Sequence, residues 1–347
     1  MTITIKYSLG DIRIRNSFKE IQQLPNYNDI VYINCSNNNL TELPPLPTSL
    51  QKLFCHNNFI TELPPILPTS LQILYCYNNK LTELPPNLPN SLQILHCYDN
   101  KLTELPTILP YSLQKLHCYD NNLTELPTTL PPSLQKLYCN NNKLTELPPT
   151  LPPSLQILYC HYNKLTELPP TLPTSLQRLY CGNNKLTELP PILPPSLQIL
   201  YCGNNKLTEL PPTLPPSLQK LYCYCNKLTA LPTNLHEYRN LTQCGYDDNE
   251  IEYIPPHITR FLNRLRNRND NVVKVYDDGQ NVHNHQIQES IRNSIYAIMK
   301  EKPSITTDEM CSELVSSVVL TEKTKRLLME YCEDTCVHSV IGITFKE

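Results

Sequence analysis

Leucine and cysteine return at fixed intervals along most of this chain. Cys76, Cys97, Cys118, Cys139, Cys160, Cys181, Cys202 and Cys223 follow one another at a spacing of 21 residues. Around each of them the same apolar set recurs, in one unit Leu71, Leu74, Cys76, Leu81, Leu84 and Leu88. No unit of this size can bury its apolar set alone, so the period predicts a stacked solenoid with a continuous core. Residues flanking the buried Leu and Cys alternate with them, as in a strand. Each unit therefore contributes one strand to a parallel sheet, with neighbours about 4.8 Å apart.

The column extends beyond the perfect stretch to Cys55 and Cys35 on one side and to a degenerate unit at Cys244 on the other. This gives eleven units over residues 30–255, each of about 21 residues. Ahead of them, residues 1–29 are expected to form a cap. Residues 2–7 and 11–15 alternate apolar and polar side chains around Gly10-Asp11, which reads as a hairpin, and residues 21–25 read as the tail of a partial unit. The recurring Leu-Pro-Pro-x-Leu-Pro segment cannot be helical, because successive prolines lack N–H groups and exclude the α conformation. The convex back is therefore expected to be extended, polyproline-like chain. An Asn column (Asn38, Asn58, Asn79 and onward to Asn226) should turn inward after each strand and serve backbone groups left unpaired by the turn.

The outward strand positions carry the candidate chemistry. Immediately before each Cys stand Phe54, Tyr75, His96, His117, Tyr138, Tyr159, Tyr180, Tyr201 and Tyr222. Immediately after stand His56, Tyr77, Tyr98, Tyr119, Asn140, His161, Gly182, Gly203 and Tyr224. Three before lie Lys52, Ile73, Ile94, Lys115, Lys136, Ile157, Arg178, Ile199 and Lys220. A concave face rich in Tyr and His has the composition of a binding hot-spot surface, since Tyr offers area, a polar tip and little rotamer entropy to lose. Its expected centre is the patch of Tyr75, Tyr77, Tyr98, Tyr119 and Tyr138, with Gly182 and Gly203 thinning the far end into a groove beside Tyr180 and Tyr201. The same ladder could instead pack on itself and stabilise the sheet, and the two roles are compatible. Single-stranded nucleic acid could stack on such rings, but few cations share the face.

The pattern Leu-x-x-Leu-x-Cys-x-x-Asn-x-Leu is that of the leucine-rich repeat. The run Leu147-Pro148-Pro149-Thr150-Leu151-Pro152-Pro153-Ser154-Leu155-Gln156-Ile157-Leu158 resembles the short repeats of effector proteins secreted by enteric bacterial pathogens. The uniform Tyr-Cys units and the character of both ends resemble leucine-rich-repeat proteins of amoeba-infecting giant viruses, the mimivirus group. That resemblance implies a viral protein acting in or on a host cell. Some bacterial relatives end in a ubiquitin-ligase domain whose catalytic Cys precedes Glu-Asp. Cys332-Glu333-Asp334 matches the triplet, but the tail is several times shorter than that domain.

Thirty-four Pro among 347 residues would point to disorder if they were scattered, but most hold fixed positions in the period. A net charge of −3 gives no general attraction to nucleic acid or membranes. The opening Met1-Thr2-Ile3-Thr4-Ile5-Lys6 has no apolar signal core and no apolar run could span a bilayer, so an intracellular, soluble protein is expected, in the host cytoplasm if viral. There the stacked cysteines stay reduced and act as small buried apolar residues. The Glu column (Glu42, Glu62, Glu83 to Glu209), offset by Lys80, Lys101 and Lys143, reads as a solvated flank.

Beyond residue 255 the period vanishes. Residues 256–347 are expected to form a small, mostly helical domain. It would begin with a basic amphipathic helix in which Ile258, Leu262 and Leu265 alternate with Arg260, Arg264, Arg266 and Arg268, closing the solenoid. A strand at 272–276 and helices near 287–300, 307–317 and 321–331 should follow. Cys332, Cys336 and His338, with His283 and His285, could ligate zinc or supply a thiol and its base, but the spacing matches no standard zinc finger and no third orienting group stands out. No metal or cofactor is expected. The leading expectation is a non-enzymatic scaffold that holds a protein partner, from the host, on the concave face. The alternatives are an effector-type enzyme whose repeats select substrate, and a structural component of a virion.

Overall fold

The computed structural model describes residues 2–8 and 12–269. The expected strand and helices after 270, together with Cys332, Cys336, His338, His283 and His285, lie outside the described residues.

One sheet of 13 strands runs through the structure. At its start, β1 (Ile3–Tyr7) pairs antiparallel with β2 (Ile12–Arg15) and, on its other edge, with β3 (Ile30–Asn34). From β3 onward the strands are parallel. They are β4 (Lys52–Phe54), β5 (Ile73–Tyr75), β6 (Ile94–His96), β7 (Lys115–His117) and β8 (Lys136–Tyr138). Then come β9 (Ile157–Tyr159), β10 (Arg178–Tyr180), β11 (Ile199–Tyr201), β12 (Lys220–Tyr222) and β13 (Gln243–Gly245). The eleven parallel strands stay in register by repeat position: Leu74 faces Leu95, which faces Leu116. A slip by one residue would turn the apolar set outward, so the register is fixed by burial.

The core is a set of stacked columns. Leu71, Leu74, Cys76 and Leu81 and their equivalents in the inner units are fully buried. Cysteine fits where its Sγ can reach back to the sheet: the Cys76 thiol donates to the His96 carbonyl of the next unit at 3.6 Å, and Cys97 to that of His117 at 3.5 Å. All the cysteines between Cys35 and Cys244 are free thiols.

Two polar ladders tie the units together. Asn121 donates from Nδ2 to the carbonyls of Cys97, Cys118 and Tyr119, each at 3.1 Å, and accepts at Oδ1 from the Leu102 amide at 2.9 Å. Asn58, Asn79, Asn100, Asn142 and their successors repeat this pattern. On the outer side Ser70 Oγ reaches the carbonyls of Thr48 and Leu50 at 2.9 and 2.8 Å, and each later unit as far as Ser217 has the same serine. From β4 to β12 the Pro-rich return segments contain no helix, as the prolines require. The turn leaving each strand places one residue near φ 50–60°, where Asn and Asp are tolerated better than most. Asn57, Asn78, Asp99 and Asp120 hold that position. Tyr162 and Cys225 hold it without such an advantage.

The ends differ from the repeats. Of residues 21–25, expected as the tail of a partial unit, Ile21 and Gln22 belong to a short helix, α1 (Phe18–Gln22), which Ser17 caps by accepting from the Glu20 amide. Ser17 and Glu20 form a capping box, with Phe18 and Ile21 buried beneath it. In the degenerate last unit Asn249 arrives two residues late yet still donates to the carbonyls of Cys223 and Tyr246 and accepts from the Leu228 amide. The helix α2 (Pro256–Asn269) begins with Pro, where a missing N–H is harmless. It lays Ile258, Phe261, Leu262 and Leu265 into the core beside β13.

Candidate partner-binding face

Three outward columns line the concave side because strand side chains alternate. In the column before Cys, all the expected rings stand next to one another: Phe54, Tyr75, His96, His117, Tyr138, Tyr159, Tyr180, Tyr201 and Tyr222. Tyr75 stacks on His96 with centroids 4.3 Å apart, and His96 stacks on His117 at 4.0 Å. Beyond His117 the rings tilt, with Tyr138 and Tyr159 meeting edge to face at 4.6 Å.

In the column after Cys, His56, Tyr77, Tyr98 and Tyr119 form a continuous stack with centroid separations of 4.2–4.3 Å. The hydroxyls of Tyr77, Tyr98 and Tyr119 hydrogen-bond along it. Burial, and then the neighbouring phenols, push the Tyr98 hydroxyl far above the ordinary tyrosine range. Burial also raises Tyr75, Tyr77 and Tyr159. The rings thus present edges and hydroxyl tips, while their faces pack on one another. Tyr138, expected at the heart of the patch, is only 6% exposed and offers little surface. It supports the neighbours.

The far end is filled, not grooved. A Cβ at Gly182 would lie 2.4 Å from Tyr201 Cε1, and one at Gly203 would lie 2.9 Å from Tyr224 Cε2. The two tyrosines fold over the glycines, and their hydroxyls hydrogen-bond to each other. Tyr224 is a site residue that the aromatic count alone undervalues; the glycine one repeat earlier in its own column was the available signal.

The imidazoles are half-buried, each with one ring nitrogen sealed from solvent. His56 Nδ1, His96 Nε2, His117 Nε2 and His161 Nδ1 have no hydrogen-bond partner among the described residues, and neither does Asn140 Oδ1. Burial, then the Lys115 charge, lowers His96 to about 4. Burial, then His96 and the charges of Lys136 and Lys115, lowers His117 to about 2. Burial alone takes His161 to about 4 and lowers His56. Burial likewise raises the core thiols, Cys118 to about 12, which keeps them protonated in the folded state. No group of His, Cys, Asp or Glu among the described residues is arranged to hold a metal ion. No described helix is long and apolar enough to cross a membrane.

Comparison with known proteins agrees with this architecture. Models described as Leucine Rich repeats (2 copies) match residues 132–174, 153–195, 174–215 and 195–236, and one described as Leucine Rich Repeat matches 70–90. The fold is therefore a leucine-rich-repeat solenoid, and similar solved structures include bacterial effectors. YopM of Yersinia pestis, a leucine-rich effector protein, is similar at 38% identity and a TM-score of 0.59, over 65% of this chain and 64% of that one. YopM of Yersinia enterocolitica is similar at 37% identity and a TM-score of 0.53, over 63% of this chain and 51% of that one. This chain therefore spans less than two-thirds of the length of either. The functional domain of InlJ from Listeria monocytogenes, which includes a cysteine ladder, is similar at 26% identity and a TM-score of 0.52, over 70% of this chain and 62% of that one. No curated protein matches the chain.

Proposed function

We propose that this protein is a non-enzymatic scaffold that binds a protein partner along its concave face. The reading rests on one observation above all: two adjoining columns of stacked aromatic rings, from Phe54 to Tyr222 and from His56 to Tyr119, line the trough with their tips outward. A surface so organised has its side-chain entropy already spent, so docking orders little more. The likeness to Yersinia effectors supports a role in a host cell, and the resemblance to giant-virus repeat proteins would make that host an amoeba.

Hydroxyl-radical footprinting of the full chain, with and without host-cell lysate, tests the assignment. Protection of Tyr77, Tyr98, Tyr119 and Tyr159 is expected. Protection confined to the Pro-rich back or to α2 would overturn it.

A further inference from the structure

The cation column of the concave face is uneven. Along it run Tyr32, Lys52, Ile73, Ile94, Lys115, Lys136, Ile157, Arg178, Ile199, Lys220 and Gln243, each in register with the next. Lys52, Arg178 and Lys220 each have uncharged neighbours on both sides. Only Lys115 and Lys136 stand directly opposite one another. Like charges paired across strands destabilise a sheet. Neither ammonium is paired with a carboxylate among the described residues.

That pair falls beside the two stacked imidazoles. Lys115 and His117 are two apart on β7 and so share a face, with His96 in register on one side and Lys136 on the other. The Nε2 atoms of His96 and His117 are buried and unpartnered. Asp99 and Asp120 follow Tyr98 and Tyr119 at the other end of these strands, and Asp120 accepts from Asn141 at 2.8 Å. Two independent deficits therefore meet at one place: unbalanced positive charge and unused imidazole nitrogens.

We infer that Lys115, Lys136, His96 and His117 form the anchor of the concave face and receive a carboxylate side chain from an acidic segment of the partner. This rests on the docking role of that face. A carboxylate there would separate the two ammonium groups and accept charge-assisted hydrogen bonds from them. The half-buried rings of His96 and His117 would line the seat. The flanking tyrosine hydroxyls supply further contacts on either side.

Selection of randomised linear peptides on the immobilised full chain tests the anchor. Recovered peptides are expected to be enriched in Glu and Asp. They should bind K115Q/K136Q ~10-fold more weakly, the worth of one charge-assisted hydrogen bond, and K52Q/K220Q nearly as well as the unaltered chain. Peptides that need Tyr77, Tyr98 and Tyr119 but show no acidic preference, or that lose equal affinity in both lysine variants, would overturn the anchor and leave the docking role standing. Peptides indifferent to the Tyr77/Tyr98/Tyr119→Ser change would overturn both.

Discussion

His96 and His117 stack face to face, centroids 4.0 Å apart and planes 7° from parallel, each with a buried Nε2 that has no partner. An unpartnered buried nitrogen costs about 1–3 kcal/mol, whereas an apolar ring of similar shape would not. His117→Phe should therefore raise stability by ~1 kcal/mol at pH 7, read as the urea midpoint. A loss of stability on this change would mean that the imidazole has a bonding role inside the fold.

The same pair sets a pH dependence. His96 at about 4 and His117 at about 2 lie below their unfolded value of about 6.5, so the unfolded chain binds protons first. Their contribution is complete above pH ~6.5 and is lost as pH falls toward the folded values. Unfolding free energy should decrease from pH 7 to pH 4, and the decrease should be smaller in H96F/H117F. Equal slopes in the two proteins would contradict the assignment.

The asparagine ladder should be the most sensitive polar element. Asn121→Ala removes three donated hydrogen bonds and one accepted bond at once, stranding the Leu102 amide and leaving the carbonyls of Cys97 and Cys118 with one asparagine donor each, Asn100 and Asn142. A loss of ~2–4 kcal/mol is expected in urea unfolding, with faster amide exchange in the two adjoining units. Asn38→Ala, at the open end of the ladder, should cost less.

Much of this was legible in the sequence. A strict period of 21 residues fixes which side chains stack, and stacking decides both the Leu and Cys core and the service of Asn to the turn. What the chain pattern cannot convey is how neighbouring rings choose rotamers together. Tyr138 occupies the same column as Tyr75 but is buried by its neighbours. Gly182 and Gly203 look like a gap in a list of aromatic positions, yet Tyr201 and Tyr224 fold into that space. Residues 21–25 read as a repeat tail, but the Ser17–Glu20 capping box starts a helix that takes in Ile21 and Gln22.

Those glycines lead to a further test. Gly182→Ala would set a Cβ 2.4 Å from the Tyr201 ring and 2.8 Å from the Gly203 carbonyl oxygen, so ring and backbone must both shift. Destabilisation of ~1–3 kcal/mol is expected, with exposure of Tyr201 to hydroxyl radicals. Gly203→Ala meets only the Tyr224 ring, at 2.9–3.1 Å, and should be milder.

The thiols offer a check on the buried columns. Native full-length protein treated with an alkylating reagent should be labelled at Cys225 while Cys55, Cys76, Cys97, Cys118 and their equivalents stay protected, as mapped by peptide mass. Cys225 also sits at φ 51°, so Cys225→Asn should stabilise the protein by ~1 kcal/mol while removing that label. Rapid native labelling of Cys118 would contradict the packing described.

The central claim, recognition through the concave rings, is tested most directly by a paired affinity capture from host-cell lysate. The intact chain and its Tyr77/Tyr98/Tyr119→Ser variant would be compared, with circular dichroism confirming that both are folded. The expected result is a partner retained by the intact chain and lost from the folded variant. A partner retained equally by both would contradict the claim and place recognition elsewhere on the molecule.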